Sequence, residues 1–132
     1  MLDAIHQKAP NAKVYLLGYP DPLPRSFTPG NCPALEHLIA DFIQTGIVNQ
    51  DLDYLNSIIA HINTVVESAA SAGGATYVPP DPTFAKHGVC STDPWFFPLT
   101  LQNNPIEILH PNQAGHRVME QDLFTYAGPA PD

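Results

Sequence analysis

The chain of 132 residues is long enough for one hydrophobic core and too short for two, and an apolar share of 44% fits a globular domain. Thirteen acidic side chains against five basic ones leave a formal charge of −8, which repels phosphate backbones and excludes a nucleic-acid partner. No apolar run approaches the length needed to span a bilayer, so no transmembrane segment is expected.

In chain order, LDAIHQKA (2–9) predicts the closing turns of a helix, because Pro10 pushes the residue before it out of the helical region. The opening residues lack the basic-then-apolar layout of a signal peptide, so they give no indication of secretion. KVYLLGY (13–19) is a β-branched and aromatic run ended by Gly18 and Pro20, the pattern of a strand buried on both faces of a parallel sheet. Prolines at 20, 22, 24, 29 and 33 then forbid regular structure, predicting a long surface loop that carries Cys32. ALEHLIADFIQTG (34–46) reads as a short helix ending at Gly46. The strongest periodicity follows: Leu52, Leu55, Ile59, Ile62, Val66 and Ala69 form one inward stripe of a helix that closes at Gly73 and Gly74.

ATYVP (75–79) predicts a second strand, and strand, long helix, strand is a βαβ crossover, which makes the class α/β. A second proline-broken loop, 79–105, holds FAKHGVCSTDPWF; His110 and Pro111 are expected to open a last helix that turns Ala114, Val118, Met119 and Leu123 inward. Residues 1–126 therefore read as one domain and 127–132 as a frayed tail. Cys32 and Cys90 lie about 58 residues apart in the two loops; a disulfide pinning the loops together is the expectation, and two thiols kept free in a reducing compartment the alternative.

The residues that can carry chemistry concentrate in EILHPNQAGH, 107–116. Two histidines six apart sit about 600° round a helix and face different sides, so His110 and His116 make a poor metal pair and no metal is expected. A histidine before proline can serve a helix end structurally, and Gly115 permits close packing. Alternatively, Glu107 lies three residues before His110, close enough to fold back onto one ring nitrogen, fix the tautomer and leave the other nitrogen as a base. The catalytic reading needs a nucleophile, yet none of Ser26, Ser57, Ser68, Ser71 and Ser91 sits in a strand-to-helix elbow. His87 borders a cleft or binds backbone in a turn; Trp95 and Phe96 wall an acyl pocket or cap the core.

The order VYLLGYP, proline loop with Cys, YLNSIIAHIN, ATYV, FAKHGVC, DPWF and HPNQAGH resembles the C-terminal half of secreted GDSL-type lipases and esterases of the SGNH hydrolase superfamily, over nearly the whole chain. Its most specific part is Glu107-x-x-His110-Pro-Asn-x-x-Gly115-His116, which is similar to the final Asp-x-x-His block of that superfamily. The resemblance implies a flavodoxin-like three-layer α/β/α sandwich with a parallel sheet, of which this chain supplies the C-terminal part. It also implies hydrolysis of ester or lipid substrates by a Ser-His-acid mechanism without a cofactor, and an extracellular location. By position, His110 becomes the general base and Glu107, where the family usually has Asp, its acid; Asp93 or the Trp95 carbonyl stands in reserve. Trp95, Phe96 and His87 line the substrate side. The Gly-Asp-Ser nucleophile block and the Gly and Asn blocks of the oxyanion hole are absent, so an N-terminal half or a second chain is expected to complete sheet and site. The alternative is a catalytically inactive binding module or a fragment of the hydrolase fold.

Overall fold

The computed structural model describes residues 1–26, 28, 30–32, 49–98 and 107–128. Helix α1, Leu2–Lys8, stops as expected ahead of Pro10: Ala9 has left helical geometry (φ −138°, ψ 75°) while its amide still donates to Ile5. Strand β1, Tyr15–Leu17, runs parallel to β2, Thr76–Val78, in the register Tyr15–Thr76, Leu16–Tyr77, Leu17–Val78. The amides of Thr76 and Gly18 extend the ladder at either end, to the carbonyls of Val14 and Val78, each at 2.8 Å. The long connection contains α2, Asn49–Ala72, so the βαβ unit and the α/β class are as read from the sequence. The expected helix over 34–46 lies outside the described residues.

Helix α2 ends where Gly74 adopts φ +67° and the Ala75 amide reaches back to the Ala70 carbonyl at 2.9 Å, a left-handed turn that glycine makes without strain. Its inward face is rotated from the expected stripe. Leu52, Asn56 and Ala70 are buried, with Ile59, Asn63 and Val66 half-buried beside them, whereas Leu55, Ile62 and Ala69 are exposed. The rotation follows from two asparagines bonded to loop backbone. Asn56 Nδ2 donates to the Pro24 carbonyl at 3.2 Å, and Asn63 both accepts from the Tyr19 amide (2.7 Å) and donates to its carbonyl (2.8 Å). Tyr54, Leu55, Ile58, Ile62 and Val65 consequently form an exposed apolar row. Strand β1 is likewise only half-buried, because β2 is its single neighbour among the described residues.

The second proline loop is not wholly irregular: Pro82–Lys86 form a 3-10 helix capped by Asp81, whose carboxylate accepts from the Thr83 amide at 2.7 Å and its hydroxyl at 2.6 Å. Phe84, Val89 and Phe96 from this loop form a core against which Cys90, Trp95, Leu109, Val118 and Met119 pack. Cys32 and Cys90 are disulfide-bonded, tying the two proline loops together (Cα–Cα 4.8 Å).

Helix α3, Gln113–Ala127, begins later than expected. Asn112, rather than the His110-Pro111 pair, is the cap: its side-chain oxygen accepts from the amides of Ala114 (2.9 Å) and Gly115 (3.2 Å). Ala114, Val118, Met119 and Leu123 are half-buried, as their spacing predicts. Ala127, placed in the expected tail, closes this helix, and 129–132 lie outside the described residues.

Candidate active site

An antiparallel bridge between Phe96 and Pro111 and three backbone hydrogen bonds hold residues 109–112 against 95–97. The Phe97 amide donates to the His110 carbonyl (2.9 Å), Leu109 to Phe97 (3.2 Å) and Asn112 to Trp95 (2.8 Å). Asn112 Nδ2 adds a bond to the Pro94 carbonyl at 2.7 Å, so one side chain joins the loop to the start of α3. Gly115 completes the close approach: a β-carbon there would collide with the Trp95 carbonyl oxygen and come within 3.0 Å of the Pro111 side chain. The close packing expected of Gly115 is thus that of α3 on the backbone of the Trp95 segment.

Between these anchors, 107–110 form a turn in which Leu109 takes φ +62°. A branched side chain in the left-handed region costs about 1 kcal/mol or more, so the surroundings must impose it. His110 follows directly. Its Nδ1–H donates to the main-chain carbonyl of Ile108 at 3.2 Å, which leaves Nε2 with its lone pair free to take a proton. The ring lies edge-on to Tyr19 (centroids 6.3 Å apart, planes at 90°), and the Tyr19 hydroxyl donates to the Leu109 carbonyl at 3.0 Å. Burial raises the phenol above its ordinary range, itself well above neutral pH.

The other expected site residues fall into two groups. Glu107 is exposed; it offers His110 a main-chain carbonyl (3.0 Å from the His110 amide), and among the described residues its carboxylate makes no hydrogen bond or ion pair with the ring. Asp93 serves His87: the His87 Nδ1–H donates to the Asp93 carbonyl at 2.8 Å and lies 3.3 Å from its carboxylate. The His87 imidazole stacks flat on Trp95, centroids 3.7 Å apart and planes within 1°. The Trp95 carbonyl is occupied by the Asn112 amide, and the indole stands perpendicular to the Phe84 ring, centroids 5.1 Å apart. Phe96, expected on a pocket wall, is fully buried in the core and has no surface to offer a ligand.

His6 is half-buried on α1, His61 and His116 are exposed on helices, and no group of three or more metal-ligating side chains occurs among the described residues. No helix among those residues is long and apolar enough to cross a membrane. Sequence reasoning missed Tyr19, Asn63, Asn112 and the Ile108 carbonyl. For Asn112 the signal was present, an Asn one residue before a helical run; for Tyr19 it was only a polar aromatic just beyond a parallel strand, where α/β sheets gather their sites.

A parallel βαβ unit with an imidazole beside the carboxyl end of β1 defines an α/β protein, a class whose open sheets bind ligands at their strand ends. Residues 1–118 match the GDSL-like lipase/acylhydrolase family, and the chain belongs to that family. It is 31% identical over 126 residues to Lipase 2 of Streptomyces coelicolor, a match covering 94% of this chain and 39% of the relative. Among solved structures it is similar to an extracellular lipase of Streptomyces rimosus (28% identity, TM-score 0.61, 92% of this chain and 47% of the lipase). It is also similar to phospholipase A1 of Streptomyces albidoflavus NA297 (25% identity, TM-score 0.69, 94% and 47%). The chain thus spans less than half the length of these relatives.

Proposed function

We propose that the chain contributes the general base of a serine ester hydrolase that acts on lipid or other carboxylic esters outside the cell. The observation that carries this reading is the His110 ring, tied at Nδ1 to the Ile108 carbonyl with Nε2 left as a proton acceptor beside the carboxyl end of β1. In the mechanism, Nε2 takes the proton of a serine hydroxyl as its oxygen attacks the ester carbonyl. The imidazolium, steadied by the Ile108 carbonyl, returns that proton to the leaving alcohol, and water repeats the cycle to free the acid. A carbonyl dipole takes the orienting role that a carboxylate at Glu107 would otherwise fill.

The serine comes from polypeptide outside these residues. The sequence contains no Gly-Asp-Ser, and Ser57 and Ser68 donate their hydroxyls to carbonyls of their own helix, at 2.6 and 2.8 Å. In this reading residues 1–126 are part of one larger hydrolase domain, whose remainder pairs with the edge of β1 that has no strand neighbour among the described residues and covers the apolar row Tyr54, Leu55, Ile58, Ile62 and Val65. The greater length of the relatives supports that occupant. The disulfide and the extracellular S. rimosus relative support secretion.

The test is hydrolysis of p-nitrophenyl esters, with fluorophosphonate labelling, by the protein that carries this chain. His110→Ala is expected to lower kcat by about a thousandfold or more. Absence of both hydrolysis and labelling refutes the proposal in favour of a non-catalytic binding module, a reading that the missing Gly-Asp-Ser motif favours.

A further inference from the structure

The strained turn before His110 is bonded to Phe97 through the Leu109 amide and the His110 carbonyl, and its Leu109 carbonyl accepts from the Tyr19 hydroxyl, 90 positions away in sequence. Leu109 is the only non-glycine residue with positive φ among the described residues, and its neighbour Ile108 presents the carbonyl that receives His110 Nδ1–H. A Leu left to itself prefers negative φ, and that change would swing the adjoining peptide and with it the acceptor. Tyr19 is in turn fixed at its backbone. Asn63, on the inward face of α2, both accepts from the Tyr19 amide (2.7 Å) and donates to its carbonyl (2.8 Å), satisfying the peptide as a neighbouring strand would.

We infer that Tyr19, clamped by Asn63, is a positioning residue: its hydroxyl locks the 107–110 turn so that the Ile108 carbonyl stays on the His110 ring. The inference rests on His110 being the base of the proposed hydrolase. Tyr19 touches no reacting atom. It sets the direction of the His110 ring and the tautomer in which the imidazole waits, so its removal lowers turnover and leaves ester binding in place. The helix crossing between the two strands thereby reaches the base through two side chains, Asn63 and Tyr19.

Tyr19→Phe tests this, because it deletes the hydroxyl and keeps the ring that packs edge-on to His110. In the active protein kcat on p-nitrophenyl esters is expected to fall about fivefold to tenfold with KM changed by less than about twofold. Asn63→Ala is expected to act in the same direction, and the double variant to lose less than the product of the two single losses, since both act through one contact. The second readout needs no catalysis: in proton NMR of histidine-labelled protein, the His110 Nδ1 proton is expected to exchange with water about tenfold faster in Tyr19→Phe. Unchanged exchange overturns the inference, as does full retention of kcat by Tyr19→Phe in an active protein. If the unaltered protein hydrolyses no ester, the hydrolase reading fails while the exchange comparison still decides the role of Tyr19.

Discussion

The Cys32–Cys90 bond joins the loop after β1 to the loop that carries Trp95, and the latter holds Asn112 and the start of α3 through the carbonyls of Pro94 and Trp95. Replacing both cysteines by alanine releases a tether across a sequence separation of 58. Closing a loop of that size removes about 14 cal/mol/K from the unfolded chain, or about 4 kcal/mol at 25 °C. Residual compactness of the unfolded state lowers this figure, and loss of the buried Cys32 sulfur, 2% exposed, raises it slightly. With a urea dependence of about 1.5 kcal/mol/M, the unfolding midpoint of Cys32→Ala/Cys90→Ala should fall by roughly 2.5 M. Trp95, the sole tryptophan, reports the transition from within the tethered loop. Dithiothreitol on the unaltered protein should produce a similar shift. A midpoint change below about 0.5 M with an unchanged slope would refute the loop-entropy argument.

Gly115→Ala places a methyl group against the Trp95 carbonyl oxygen, where backbone must move, so a loss of about 1–3 kcal/mol and a lowered thermal midpoint are expected; an unchanged midpoint would contradict the close approach. Glu107→Ala should change kcat by less than about threefold, because the Ile108 carbonyl orients the ring; a hundredfold loss in steady-state assays would reinstate the carboxylate. Hydrogen bonds from the Thr83 hydroxyl and amide lower the Asp81 pKa, so its contribution is present above the unfolded value and is lost as pH falls through the lower folded one. Asp81→Ala should therefore cost about 1 kcal/mol at neutral pH, and its urea midpoint should converge on that of the unaltered protein below about pH 4. Asp122, whose pKa burial raises, has the opposite sign: Asp122→Asn should match or slightly exceed the unaltered protein at neutral pH, and the difference should disappear as acid neutralises the carboxyl.

What the residues disclosed and what they hid divide along a physical line. Short β-branched runs bounded by Gly and Pro located β1 and β2, and a periodicity of 3 and 4 located α2, because burial of apolar side chains leaves a pattern that survives in one dimension. The face of α2 was misread by part of a turn for the same reason. Apolar periodicity cannot know that Asn56 and Asn63 face inward, where loop carbonyls and an amide 44 positions from Asn63 supply their partners. At the site, a carboxylate three residues before a histidine is a visible pattern, and it drew attention to Glu107. The acceptor at the His110 ring is a main-chain carbonyl, which every residue possesses and which therefore leaves no trace in the choice of side chain at 108. The conformation that aims it is equally silent, since Leu is among the residues least suited to φ +62° and would not be chosen to signal it. Its cause is tertiary. A hydroxyl at the end of β1 and a helix cap at Asn112 fix the turn from both sides, so the direction of the histidine is written in contacts far apart along the chain, while the sequence around His110 specifies only that an imidazole is there to be directed.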